Sequence, residues 1–256
     1  MEAREKRALR RRALVIAMIA SLILWNLPFG GFVLYPFKLF ATWLHEMSHG
    51  LTMMVVGAGF DHLEIYRDSS GLAYGSRSVG AAANATIASA GYVGTAAFGA
   101  AFLILGQGQR GARSILGSLA AALAISALLW VQGTFAIVAV LVAAAVFAGL
   151  AYFGTEKVAA FAVNFVAAQS CANAILDIRV LFRSNLVVGG EVVQSDAHSM
   201  AQATFGTPAL WATVWLVWSM ALFFVALRII YVRERNEVLA SASPMPAAGT
   251  GSAGKV

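Results

Sequence analysis

The chain has 256 residues, 60% of them hydrophobic and 12% charged, and a net charge of +6 at pH 7. That is about half the charge of an ordinary soluble domain, and with a mean hydropathy of +0.76 it excludes a soluble globular protein and places the long apolar runs in a bilayer. The single cysteine, Cys171, excludes an internal disulfide and a cysteine-rich metal site, and reads as a small core residue.

The basic start, MEAREKRALRRR, covers residues 1–12. It is too short and too close to an apolar run to suggest a nucleic-acid partner. The positive-inside rule accounts for it with a cytoplasmic N-terminus. An apolar run over residues 13–29 follows, with no small-residue cleavage site, so it reads as an uncleaved first helix rather than a signal peptide. A second membrane helix spans about 35–56 and contains LHEMSHGL. Residues 57–80 differ in character, with charges, partial alternation in HLEIYRD and LAYGSRSV, and an SSG break between them. This predicts a small β-hairpin outside the apolar layer.

Further helices are expected at about 82–105, 115–131, 135–153, 158–182 and 208–232. In the first of these, Gly91, Thr95 and Gly99 recur every fourth residue, a spacing that lets a neighbouring helix approach closely. The 158–182 helix is more polar than the rest, with Asn164, Gln169, Asn173 and Asp177, and a polar loop follows it. Residues 233–256 read as a polar, disordered tail. The expected architecture is thus an all-α polytopic membrane protein of six to seven spans, one domain over residues 13–232, in the cell (inner) membrane. Seven crossings from a cytoplasmic N-terminus leave the C-terminus outside. Arg228, Arg233 and Arg235 gather there and Arg110 and Arg113 fall outside too, which conflicts with the positive-inside rule.

Residues 45–49 read His-Glu-Met-Ser-His. One helical turn separates His45 from His49, so both imidazoles share a face and suit one Zn²⁺. Glu46, beside them, is placed to take a proton from a zinc-polarised water as general base. A chance HExxH in such a chain arises on the order of 1% of the time, so coincidence is a poor account of it. A charged Glu inside an apolar helix also costs about 2.5–3.5 kcal/mol without a partner or a wet cavity.

A catalytic zinc needs a third protein ligand and an open fourth position. No third His follows His49 closely, so the ligand comes from elsewhere. Asp177, in ANAILDIRVLF, is the leading candidate, its alternative being a salt bridge to Arg179 or Arg183. The crossing count places it and the histidines at similar depth, on the cytoplasmic side. Asn173 shares its helix face one turn earlier and is a candidate to orient substrate or ligand, or to make a helix–helix hydrogen bond. Asp196 and His198, in the polar loop, are weaker candidates for the site and read as solvated or interface residues, and Asp61 and His62 as part of the hairpin. Glu156 and Glu191 are further ligand candidates.

These residues resemble the site-2 protease family of intramembrane zinc metalloproteases. The resemblance implies His45 and His49 as zinc ligands, Glu46 as catalytic base, Asp177 as third ligand and one zinc per chain. It implies membrane-protein substrates and cleavage within or near the bilayer, with a signalling role such as release of a tethered transcription factor. The sequence departs from the family pattern in several places. SAGYVGTAAFG stands where the family has a Gly-Pro-rich segment, with Tyr92 at the proline; Gln169 replaces an Asn; Ile178 replaces the Gly after the Asp. The similarity is to small bacterial members without a PDZ domain. The hairpin resembles the family's membrane-associated β-hairpin, which implies edge pairing with an extended substrate strand. Competing readings are a membrane zinc protease with a downstream Glu ligand, a non-proteolytic client-binding protein, and a metal transporter.

Overall fold

The computed structural model describes residues 2–176, 178 and 186–242. Helix α1 (Glu2–Asn26) is followed by α2 (Gly30–Val55), their spanning parts bent by 117° at the short break. Next come β1 (Phe60–Ile65), β2 (Gly71–Gly75), α3 (Ala81–Leu105), α4 (Gly108–Leu129), β3 (Val131–Gln132), α5 (Thr134–Phe153) and α6 (Glu156–Leu176). A second hairpin, β4 (Leu186–Val188) and β5 (Glu191–Val193), leads to α7 (Asp196–Ala203) and α8 (Pro208–Ala242).

The helical polytopic class expected from composition is the observed one. Among the described residues, α3, α4, α5 and α8 are each long and apolar enough to cross a membrane, and the bent α1–α2 pair gives a fifth crossing if counted as one. Against the six to seven spans expected, four or five stand as candidates by length and composition among the described residues. Two of the apolar runs form one corner, and α6 packs among the other helices against α1, α3 and α4. Helix α8 continues ten residues beyond the expected end at 232, to Ala242.

The first hairpin forms where the alternating pattern predicts it, with β1 and β2 antiparallel and Leu63 opposite Ala73. Its turn is made locally: Asp68 Oδ1 accepts from the Ser70 N–H at 3.0 Å and the Ser70 hydroxyl at 2.6 Å, an Asx arrangement that favours tight reversal. The turn is pinned to α2, because Thr42 donates to the Ser69 carbonyl at 2.6 Å and Tyr35 to the Arg67 carbonyl at 2.7 Å. The other edge of β1 pairs in parallel with β3, in the turn between α4 and α5, giving the order β2-β1-β3. Leu63, fully buried, roots the hairpin in the main core with Phe40, Trp43 and Leu123. Trp43 keeps its indole N–H satisfied inside that core by donating to Ser126 Oγ at 2.9 Å.

Several polar residues within the bundle tie helices together or satisfy themselves on their own helix. Gln169 accepts from Trp25 Nε1 at 3.2 Å and donates to Ser21 at 3.0 Å, tying α6 to α1. Asn164 donates to the Ala160 carbonyl at 2.7 Å. Cys171 is buried in the core as expected and packs where Gly99 lets α3 approach α6: a Cβ at Gly99 would come within 2.8 Å of its sulfur.

Candidate active site

Helix α2 presents HExxH toward α3 and the first hairpin. Gly91 and Gly94 let α3 come close: a Cβ at Gly94 would meet Ser48 Oγ at 2.4 Å, and one at Gly91 would meet His45 Nε2 at 2.3 Å and His49 Nε2 at 2.5 Å. The packing seen in sequence as a small-residue stripe thus has a specific consequence. Gly91 leaves the space in which both imidazoles sit.

The two Nε2 atoms are 3.0 Å apart. Asp196 Oδ2 lies 3.1 Å from His45 Nε2 and 3.4 Å from His49 Nε2. Among the described residues these three form the one set of three or more placed to share a metal ion. Asp196 opens α7, whose N-cap is Ser195. The Ser195 hydroxyl accepts from the His198 N–H at 3.4 Å and meets His198 Nδ1 at 3.0 Å, so His198 serves the cap while Asp196 turns to the histidines. His49 Nδ1 donates to the Ile87 carbonyl at 2.7 Å. A carbonyl only accepts, so this fixes the proton on Nδ1 and leaves the Nε2 lone pair free to meet a metal. His45 stands edge-on to Tyr92 at 4.8 Å, and Tyr92 stacks on Trp215 of α8 at 5.4 Å. Tyr92, the departure from the family's proline, therefore buttresses the His45 imidazole.

The donor set fits zinc. Tetrahedral zinc with bonds of about 2.0–2.1 Å keeps its ligand atoms about 3.3 Å apart, close to the 3.0, 3.1 and 3.4 Å seen here. Two imidazoles and one carboxylate are also an ordinary catalytic zinc set.

Glu46 is buried beside this triangle. Strand β2 passes directly over it: a Cβ at Gly71 would come within 2.9 Å of Glu46 Cγ and 2.6 Å of Thr42 Cγ2. A cavity of about 1280 Å³ opens here, lined by His45, Glu46, His49 and Asp196, by β2 from Gly71 to Ala73, and by the second hairpin at Val187, Val188 and Val193. Asn173 also lines it. Its side chain is buried and its Nδ2 has no hydrogen-bond partner, a costly state unless something in the cavity accepts from it.

The sequence-predicted residues therefore divide. His45, Glu46, His49 and Asn173 converge on one cavity. Asp177 lies outside the described residues, as does the Glu191 side chain. Glu156 begins α6, at the end of the bundle away from the cavity. Asp61 and His62 pair with each other at 2.8 Å on the hairpin, where His62 stacks on Tyr74 at 4.4 Å. Asp196, a weaker candidate in the sequence that read as a solvated or interface residue, is the carboxylate at the histidines. Its local signal was a capping sequence, Ser-Asp-Ala-His, opening a short helix; nothing local ties that helix to residues 45–49.

Fold and site together define a polytopic membrane protein with a metalloprotease motif facing a large cavity of mixed polar and apolar lining. The sequence matches the Peptidase M50B-like family over residues 14–226, and the chain belongs to that family, the site-2 proteases. No curated protein and no solved structure matches it.

Proposed function

We propose that the protein is an intramembrane zinc metalloprotease that hydrolyses peptide bonds in membrane-spanning or membrane-adjacent segments of other proteins. The observation that carries this is the triangle of His45, His49 and Asp196 with Glu46 beside it, at the wall of a cavity of about 1280 Å³. His45, His49 and Asp196 would hold one Zn²⁺ per chain, and the metal when bound would supply Lewis acidity and lower the pKa of a bound water toward about 7. Glu46 takes the proton from the attacking water and returns it to the leaving amine. Asn173 donates its free N–H to a substrate carbonyl and so holds the peptide in register.

Strand β2 supports a specific mode of presentation. Its outer edge has no strand partner among the described residues, and Gly71, Leu72 and Ala73 line the cavity. An unwound substrate segment laid along that edge would be held by backbone hydrogen bonds next to Glu46. Unwinding is needed because a helical peptide bond is shielded by its own hydrogen bonds. The bilayer and a membrane-protein substrate are the partners this implies.

The test is cleavage of single-span peptides reconstituted with the protein in liposomes, with and without a zinc chelator. Cleavage that stops on chelation and returns on adding back Zn²⁺ is the expected result. Cleavage indifferent to chelation sinks the zinc mechanism.

A further inference from the structure

We propose that Lys38 forms an anion subsite in the catalytic cavity, which takes an acidic side chain of the substrate about three residues from the scissile bond. This rests on the protease function proposed above and adds a sequence preference to it.

Lys38 stands on α2 seven residues before His45. Seven residues make nearly two helical turns, so Lys38, Thr42, His45 and His49 follow one another down one face. All four line the cavity. The Lys38 ammonium lies over the Trp25 ring, 5.0 Å from its centroid. Trp25 lines the cavity as well, and its indole N–H donates to Gln169 of α6 at 3.2 Å. The ring is therefore held in place, and the cation–π contact fixes where the ammonium sits.

The protein does not consume that charge itself. Among the described residues no carboxylate forms an ion pair with Lys38. Of the acidic residues that line the cavity, Asp196 stands at the two histidines, and Glu46 is buried beside them. Asp68 lines it too, but its Oδ1 already accepts from the Ser70 N–H and hydroxyl, so the hairpin turn occupies it. A lysine in a membrane helix ordinarily reaches the headgroups or meets a counter-charge. The half-buried Lys38 turns instead into the cavity, toward Trp25. The anion that completes it arrives with what enters the cavity.

Distance sets the register. Lys38 and His45 are about 10 Å apart along α2, and an extended strand rises about 3.3 Å per residue. A substrate laid along β2 with its scissile bond at the histidines thus presents its third residue to Lys38. An Asp or Glu there makes a charge-assisted hydrogen bond to the ammonium. A lipid headgroup is the poorer occupant. The apolar surface of this part of α2, exposed at Phe32 and Val33, lies on a different face of the helix from Lys38.

The test is a position scan. Single-span peptides carry Glu or Gln at each of the five residues on either side of the scissile bond, and are reconstituted with the full chain in liposomes of neutral lipid. The readout is the ratio of kcat/KM for Glu over Gln at each position. Wild type is expected to prefer Glu by about 5–10-fold, the worth of a charged hydrogen bond at a half-buried site, at one position about three residues from the bond. The ratio is expected to fall to about 1 in Lys38→Met, to drop below 1 in Lys38→Glu and to persist in Lys38→Arg. Because each ratio is taken within one variant, a loss of folded protein does not imitate the effect. A flat scan in wild type, or the same peak in Lys38→Met, overturns the proposal. So does a flat scan in which added anionic lipid raises activity in wild type but not in Lys38→Met, which would assign the cation to a headgroup. Binding of the same peptides to Glu46→Gln in detergent, read by fluorescence anisotropy, keeps the two claims apart. Glu-dependent binding with no cleavage by wild type removes the protease reading and leaves the subsite, while cleavage with no dependence on Glu does the reverse.

Discussion

Glu46→Gln is expected to keep zinc, keep the fold and lose hydrolysis by about 10²–10⁴-fold, the span that removal of a general base produces. Glutamine fills the same volume, so the fit of the side chain under Gly71 and beside Thr42 is preserved. The metal ligands of the proposed site are three other residues, so zinc has no reason to leave. What disappears is the capacity to hold a proton between the attacking water and the leaving amine. The measurement is the cleavage rate of a reconstituted peptide, with zinc content and thermal unfolding in detergent recorded on the same sample. Full activity in this variant rules out the proposed role of Glu46.

Gly91→Ala is expected to leave a folded protein with little or no zinc. The added methyl would stand 2.3 Å from His45 Nε2 and 2.5 Å from His49 Nε2, closer than real Cβ contacts allow. The imidazoles are the ends of flexible side chains and can rotate away, so the helices need not part. Rotation moves both ligating nitrogens, however, and a catalytic zinc has only three protein ligands. Loosening the orientation of a single ligand already costs about 10–100-fold in metal affinity, so displacing two costs at least that. Zinc titration against a competing chelator, with helical content followed by circular dichroism, checks it. Unchanged zinc affinity would show that the ligand set does not sit against α3 as described. The same substitution at Gly117, which faces open space, is the control.

What the sequence disclosed depended on how local the signal was. His45, Glu46 and His49 were legible because one helical turn puts the two imidazoles on one face, whatever the rest of the chain does. The first hairpin was legible because alternation in HLEIYRD and LAYGSRSV brackets an Asp-Ser-Ser-Gly turn. Asp196 was not legible. It lies 151 residues from His45 and reaches it only because the second hairpin returns the chain to the cavity and Ser195 caps α7 toward the histidines. Asp177, with apolar flanks inside a helix, carried the stronger local signal. Gln169 was visible as a buried polar residue, but its direction was not; it turns to Ser21 and Trp25 on α1 and away from the cavity. The bend between the first two helices was not legible because apolar content does not report a corner: residues 13–29 and 35–56 read as two separate spans, and the helices there, Leu14–Asn26 and Gly30–Val55, form a bent pair.

The most direct test is zinc per chain in detergent-purified wild type and in His49→Ala, Asp196→Ala and Asp177→Ala. The proposed site predicts about one zinc in wild type and in Asp177→Ala, as a single catalytic centre requires, and none in His49→Ala or Asp196→Ala. Zinc lost from Asp177→Ala and kept by Asp196→Ala would contradict the ligand assignment, and a folded wild type that binds no zinc would contradict the protease itself.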